Sequence, residues 1–300
     1  VAGVDVVLCA NPASGGGSDS PEAVAASLRA HGAAVTVREI ADLGDPGAFV
    51  PPAAAAELVA GAQRLVVAGG DGSIGLAASA AAAAGVPLAV VPSGTANDFA
   101  RALALPTDLD AACALAADPG APVRPLDLGA AGARPFVNAA GAGLAPAAAR
   151  SARPLKGALG PLAYAVGALH AGATAHPLGV RVEVDGAEVY AGDAWQLVVA
   201  NTGAFGGGSS TGAADAGDGA LDLAVVPSGS RLTLVRRAYG MRTGRLVHQD
   251  DVVHARGARV VVTGAETYNI DGEVCHPGPP AEFTVRPRAF GLAVPGGATP

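Results

Sequence analysis

Two short segments hold the residue types and spacings that can do chemistry. They are Val66-Val-Ala-Gly-Gly-Asp-Gly-Ser73 and Val90-Val-Pro-Ser-Gly-Thr-Ala-Asn-Asp98. Each is a β-branched run that breaks into a tight turn of small residues, and each is followed by a helix-forming stretch. Glycines at such a place let the backbone approach a phosphate, and the helix start offers unpaired N–H groups and a positive dipole end. The first turn, Gly69-Gly-Asp-Gly-Ser73, sets a single carboxylate, Asp71, between glycines. An acid beside a phosphate cradle addresses Mg²⁺ or a hydroxyl, since bare carboxylate and phosphate repel. The second turn places Ser93, Thr95, Asn97 and Asp98 at one strand end. Helix capping by Thr95 or Asn97 explains part of this, and a solvated Asp-Gly turn is the plainer reading of the first. Neither explains the crowding of polar groups at two strand ends, which points to phosphoryl transfer.

A third turn, Asn11-Pro-Ala-Ser-Gly-Gly-Gly17, follows the first strand-like run. Its amides suit a nucleotide's phosphates, although a Gly-rich turn is nearly as often structural. It lacks the Lys-Ser/Thr ending of a Walker A loop and the spacing of a dinucleotide fingerprint.

These turns need strand ends to hold them. Strand-like runs fall at Val4–Ala10, Ala34–Ile40, Arg64–Ala68, Pro87–Val91 and Val123–Leu128, and helix-like runs at Pro21–Ala30, Ala53–Ala60, Ile74–Ala84 and Asp108–Ala117. This alternation predicts a parallel sheet covered by helices, with ligands beyond the carboxyl ends of the strands. After about residue 128 the texture changes. Strand-like runs at Gly179–Val184, Gln196–Ala200, Leu221–Val226, Arg259–Thr263 and Ala281–Arg286 are separated mostly by Gly, Asp and Asn turns, with helix-like pieces at Leu162–His170 and Ser230–Thr243. The expectation is an α/β nucleotide domain over residues 1–127, rejoined by about 287–300, and a mainly antiparallel β domain over 128–286, with the active site in the cleft between them.

Half the residues are apolar but only 4% are aromatic, so the core must be built from Ala, Val and Leu. Net charge is −7 and Lys156 is the only lysine, which argues against a nucleic-acid partner or a polybasic anchor. Contact with anionic lipid would have to use a few clustered arginines. Cys9, Cys113 and Cys275 are too far apart for a zinc motif or a disulfide framework and read as buried reduced thiols in a cytoplasmic protein. Gly157–Ala175 is uncharged but is broken by Gly160-Pro161 and His170, so it does not read as a membrane span. The chain shows no signal peptide ahead of Val4. The scattered histidines suggest no metal site, and Trp195 reads as a core or interdomain anchor.

The set Asn11-Pro-x-Ser-Gly, Gly69-Gly-Asp-Gly-Ser and Pro92-x-Gly-Thr-x-Asn-Asp98 resembles the diacylglycerol kinase catalytic family, which includes bacterial soluble lipid kinases. NAD kinases share the Gly-Gly-Asp-Gly feature. Asn138-Ala-Ala-Gly-Ala-Gly143, Gly160-Pro-Leu-Ala-Tyr164, Asn201–Gly208, Asp218-Gly-Ala-Leu-Asp222 and Asp271-Gly-Glu273 occur in the family's order, so the resemblance runs almost end to end. It implies that Asn11, Ser14 and the turn of Gly69, Gly70, Asp71, Gly72 and Ser73 bind ATP, with Thr95 nearby. Asp71 would orient the phosphates or their Mg²⁺, and Asn97 and Asp98 would complete the cleft. Asp271 or Glu273 would take the proton from the attacking hydroxyl, although an Asp-Gly pair also favours a plain hairpin turn. Asp215, Asp218 and the carbonyl of Ala220 would hold a Mg²⁺, against the plainer reading of a solvated loop. Where the family has an Asn-Glu pair this chain has Gly75-Leu76, and Ile40 and Ala41 stand near a position that is usually polar.

The reading is an ATP- and Mg²⁺-dependent kinase of a lipid or lipid-like alcohol, with diacylglycerol as first choice. Its rivals are an NAD kinase-like enzyme and a nucleotide-binding regulator without turnover. The partner implied is a small alcohol or lipid, with transient contact at a membrane surface and a homodimer left open.

Overall fold

The structure, a computed structural model, describes residues 3–11, 20–144, 176–212, 214–229 and 246–296. The helix-like runs Leu162–His170 and Ser230–Thr243, the Gly160–Tyr164 motif and most of the Asn11–Gly17 turn, with Ser14, lie outside the described residues. The chain divides into two compact units. The first comprises Val1–Leu128, Ala133–Val137 and Arg286–Pro300, and the second Gly129–Gly132 and Asn138–Val285.

The first unit runs β1 (Asp5–Ala10), α1 (Pro21–Ala30), β2 (Ala34–Glu39), a 3₁₀ turn (Ile40–Leu43), α2 (Pro52–Leu58), β3 (Arg64–Gly69), α3 (Asp71–Ala84), β4 (Leu88–Pro92), α4 (Asp98–Ala102), α5 (Leu109–Ala117), the first part of β5 (Val123–Ala131), and β6 (Arg134–Phe136). Its sheet is parallel in the order β2-β1-β3-β4, and the end of the strand Ala281–Ala293 joins beside β4 through Leu292 opposite Leu88. β3 is buried along its whole length, which is why, after Arg64, it reads as an unbroken apolar run rather than an alternating one.

Local signals set the helix limits. Ser20 caps α1 by accepting from the Ala23 amide at 3.2 Å, with Pro21 in the first turn. Gly85, in the left-handed region at φ 68°, ends α3. α3 begins at Asp71, three residues before the sequence expectation of Ile74, because the Gly-Asp-Gly-Ser turn is itself the helix's first turn. Its Ala-rich length buries eight consecutive residues, Ile74 to Ala81, so small side chains bring it close to its neighbours. α4, the helix-forming stretch expected after the second turn but given no bounds there, is only five residues long.

Arg64 at the start of β3 is 4% exposed. Its Nη1 donates to the carbonyls of Leu115, Ala116 and Asp118 at 3.2, 2.7 and 3.0 Å. A cation thus sits at the negative C-terminal end of α5 and satisfies carbonyls the helix leaves open.

The second unit contains β7 (Ala139–Gly143), β8 (Leu178–Val184), β9 (Ala187–Ala200), β10 (Ala204–Phe205), β11 (Ser209–Ser210), β12 (Leu221–Pro227), β13 (Val253–Gly257), β14 (Arg259–Thr263), β15 (Tyr268–Ile270), β16 (Glu273–Cys275) and the start of β17 (Ala281–Ala293). β10 and β11 pair with each other, and the rest pair antiparallel in the order β16-β15-β7-β9-β8-β14-β17, with β12 also on β9 and β13 on β12. β9 is the hub: its first half pairs with β8 and its second half with both β7 and β12. The sequence showed only Gln196–Ala200, the half that is buried throughout; the first half, Ala187–Asp193, is largely exposed and carries polar residues. β7, Ala-Ala-Gly-Ala-Gly, has no strand propensity of its own and is a strand because β9 and β15 flank it.

The α/β plus β expectation agrees with this architecture. Trp195 is buried against Ala224, Val226, Leu246 and Val252, and its indole N–H reaches the Gly229 carbonyl at 3.3 Å. Cys9 and Cys113 are buried as expected, but Cys275 is only partly so, because β16 is the outermost strand in its row. No helix among the described residues is long and apolar enough to cross a membrane.

Replacing Arg64 by Met leaves three carbonyls at the end of α5 without their cation. The Arg64→Met variant is expected to lose about 2–4 kcal/mol of stability in urea denaturation. A loss under about 0.5 kcal/mol would show that the helix end does not depend on it.

Candidate active site

The two glycine turns are one construction. β3 and β4 are adjacent and parallel, so Gly69 and Pro92 lie opposite each other and both turns leave the sheet at the same level. The Ser93 amide donates to the Gly69 carbonyl at 3.1 Å. Beyond that bond the backbones cross at two glycines: a Cβ on Gly94 would lie 2.5 Å from the Gly70 Cα. No side chain fits there, which is a physical reason for glycine in both motifs.

Asp71 locks the crossing. Its Oδ2 accepts from the Asp98 amide at 3.1 Å and its Oδ1 from the Phe99 amide at 2.9 Å. A carboxylate on the first residue of α3 therefore caps the start of α4, the favourable place for negative charge. Asn97 adopts the left-handed conformation at φ 51°, which Asn tolerates, and its Oδ1 takes the Gly94 amide at 2.9 Å. Asp98 is buried at 5% exposure, while Thr95 is exposed at the tip of the turn. Gly70 caps α3 without a side-chain acceptor, which leaves that helix start to be served by something other than its cap residue. Ser73 lies beside Gly69, where an added Cβ would meet its Oγ at 3.0 Å. Asn11 is exposed just after β1.

The unusual pair Gly75-Leu76 also has a local cause. A Cβ on Gly75 would come within 3.1 Å of the Pro135 carbonyl oxygen and 3.4 Å of the Phe136 Cα, so β6 lies directly on the helix there. Leu76 is buried. Ile40 reaches to 3.4 Å from the Cβ position of Gly69. Apolar packing stands where the resemblance leads one to look for polar groups.

In the second unit Asp271 and Gly272 form the two-residue turn between β15 and β16, both at positive φ, 46° and 92°. That is the geometry an Asp-Gly hairpin favours. The turn is also more than a hairpin. Asp271 Oδ1 accepts from the amides of Asn138 and Ala139 at 2.9 and 3.1 Å. Asn138 is 2% exposed; its Oδ1 accepts the Thr202 hydroxyl at 2.7 Å and its carbonyl accepts the Asn201 amide at 2.8 Å. Asn138, Asn201 and Thr202 thus gather behind Asp271. The sequence showed Asn138 and Asn201 as motif positions but gave them no partner, because the contacts span more than sixty residues. Glu273 is exposed on β16.

Asp215, Asp218 and Ala220 share one turn. Asp215 Oδ1 accepts from Gly217 at 3.1 Å and Asp218 Oδ1 from the Ala220 amide at 3.0 Å. The other oxygen of Asp218 is paired with Arg256 Nη2, and Arg256 Nε reaches Asp222 Oδ2 at 3.3 Å. Among the described residues no three His, Cys, Asp or Glu side chains gather as a metal set. A divalent ion on Asp218 would face a guanidinium on the same carboxylate, so the residues of this loop do not fit a metal in this arrangement. Burial, with Asp42 adding to it, pushes the Cys9 thiol up to about 12, and burial raises Cys113 too. Neither is a nucleophile at neutral pH.

Residues 5–131 match the model of the diacylglycerol kinase catalytic domain, and residues 138–294 that of the YegS C-terminal NAD kinase beta sandwich-like domain. A Mycobacterium tuberculosis protein named diacylglycerol kinase is 30% identical over 298 residues, covering 97% of this chain and 95% of its own length. One from Pseudomonas aeruginosa, named "Probable lipid kinase YegS-like", is 32% identical over 293 residues, with 94% and 92% covered. The chain belongs to the diacylglycerol kinase catalytic family. It is an enzyme of that family, as the order of its motifs implied. A crystal structure titled as a diacylglycerol kinase of Bacillus anthracis shares the fold across the whole of both chains, with a TM-score of 0.74 at 22% identity.

Writing the family's usual Asn-Glu pair back at Gly75 and Leu76 meets β6 and buries a charge. The double variant Gly75→Asn/Leu76→Glu is expected to lose about 3 kcal/mol or more. A thermal melt like that of the unaltered protein would refute the tight α3–β6 contact.

Proposed function

We propose that this enzyme transfers the γ-phosphate of ATP, with Mg²⁺, to a hydroxyl of a lipid or lipid-like alcohol, diacylglycerol being the first to test. The observation that carries the reading is the pair of turns at residues 69–73 and 92–98, joined through Asp71, at the carboxyl ends of adjacent parallel strands in a chain of this family. On this reading the nucleotide belongs to the α/β part, residues 1–127 with 287–300, and the acceptor to residues 128–286.

Phosphoryl transfer is mostly positioning and charge neutralisation. The backbone of Gly69, Gly70, Gly72 and Ser73, with Asn11, Ser14 and Thr95, is assigned to the nucleotide. Asn97 and Asp98 complete that face. Asp71 is the residue assigned to the metal, and its bonds to the α4 amides hold the carboxylate in one place. When bound with ATP, Mg²⁺ would offset charge on the phosphate oxygens. Asp71→Asn substitutes an N–H₂ for one of the two accepting oxygens, so it should lower the melting temperature as well as reduce turnover by about tenfold or more. Wild-type turnover in that variant would mean that Asp71 serves the fold alone.

The acceptor hydroxyl must lose its proton, and Asp271 and Glu273 are the two carboxylates assigned to that step. Asp271 is the better fixed, through the Asn138 and Ala139 amides. Asparagine at 271 keeps an oxygen acceptor for those amides while removing the negative charge that a base needs. Asp271→Asn and Glu273→Gln therefore separate the roles: the base should cost ~10²–10⁴-fold in turnover with nucleotide binding kept. If both variants turn over an accepted alcohol at the full rate, the turn is a structural hairpin.

A screen for ³²P transfer from labelled ATP into a lipid extract tests the reading as a whole and reveals the acceptor. The apolar packing at Gly75-Leu76 favours one second reading, a nucleotide-binding regulator. ATP binding without transfer to any alcohol would establish that instead.

A further inference from the structure

Two acids of the Asp215–Asp222 stretch, Asp218 and Asp222, are already matched by a cation of the chain itself. Asp222 opposes Arg256 directly across β12 and β13, and His254 lies two residues along the same face of β13. The Asp222 side chain is fully buried, so an uncompensated charge there would be costly. Its two oxygens are divided between the neighbours: Oδ1 with His254 Nε2 at 2.8 Å and Oδ2 with Arg256 Nε at 3.3 Å. The same guanidinium then turns its Nη2 to Asp218 Oδ2, while Asp218 Oδ1 holds the Ala220 amide. One planar fork thus spans a buried and a half-buried carboxylate four residues apart, a job suited to arginine rather than to lysine.

We propose that Arg256 is the resident cation of this loop, holding Asp218 and Asp222 in place of a bound divalent metal. The loop's order is then set by the chain and not by the ionic medium. Two cations cannot share Asp218 without repulsion, so removing the guanidinium should open the carboxylate to a hard ion, for which Asp215, Asp218 and a backbone carbonyl are suitable ligands.

The test uses the whole chain without nucleotide and Mg²⁺ alone as the probe, against NaCl of matched ionic strength. The readout is the melting temperature, with calorimetric titration beside it, so it is independent of turnover and of the kinase reading. The wild type should show no Mg²⁺-dependent shift. Arg256→Gln should melt about 4 °C lower or more. Millimolar Mg²⁺ should then raise its melting point, and adding Asp218→Asn should abolish that rise. Arg256→Lys keeps a charge but cannot bridge both acids; it should melt lower than wild type and remain insensitive to Mg²⁺. Should Arg256→Gln not fold in plain buffer, refolding rescued by Mg²⁺ would support the proposal and failure to rescue would count against it. Stoichiometric Mg²⁺ binding to the wild type that Asp218→Asn removes would overturn it. So would an Arg256→Gln variant as stable as wild type and indifferent to Mg²⁺.

Discussion

The first unit depends on one carboxylate reaching across two strands' worth of turn. Asp71 belongs to the helix after β3, yet each of its oxygens accepts an amide that opens the helix after β4. That contact is possible only because Gly70 and Gly94 let the two backbones approach without side chains. The parallel pairing of β3 and β4 supplies the level, the glycines the clearance and Asp71 the attraction. Removing any one would leave two loose loops at the sheet's end. The same economy holds in the second unit, where Asp271 turns a hairpin and ties it to the strand beside it through Asn138 and Ala139.

The sequence made some of this plain and hid the rest for identifiable reasons. Strands buried on both faces, such as β3, and helices with clear starts, such as α1 after Ser20, were readable to within a residue or two. The glycine turns were readable as a pair of sites because each follows a strand and carries polar groups. Their linkage was not, since Asp71 and Asp98 are twenty-seven residues apart and nothing local announces a bond between them. β7 could not be read because an Ala-Gly run gains strand character only from its neighbours. The grouping of Asn138, Asn201 and Thr202 behind Asp271 was hidden for the same reason: polar residues look alike in sequence until the register of β7, β9 and β15 brings them together.

Charge in this chain is used locally. Among the described residues several arginines answer a specific group, among them Arg64 a helix end, Arg256 two aspartates and Arg259 the carboxylate of Glu282. With a net charge of −7 and a single lysine, the cations of this chain are nearly all arginines, and these three sit where acids or carbonyls would otherwise lack a cation. The pattern explains how an Ala-rich core with few aromatics can still fix its loops: small apolar residues set the spacing, and directional polar bonds set the turns.

The strand Ala281–Ala293 starts in the second unit, paired with β14, and ends in the first, beside β4. Along the way the Arg288 amide satisfies Asp127, a carboxylate 1% exposed to solvent. The α/β unit is therefore assembled from stretches on either side of the β-rich middle. While the ribosome is still making the β-rich middle, β4 has an open edge and Asp127 lacks that amide. Synthesis of residues 286–293 closes the first unit, so the order in which the chain emerges leaves the α/β unit unfinished until the β-rich unit has already been made.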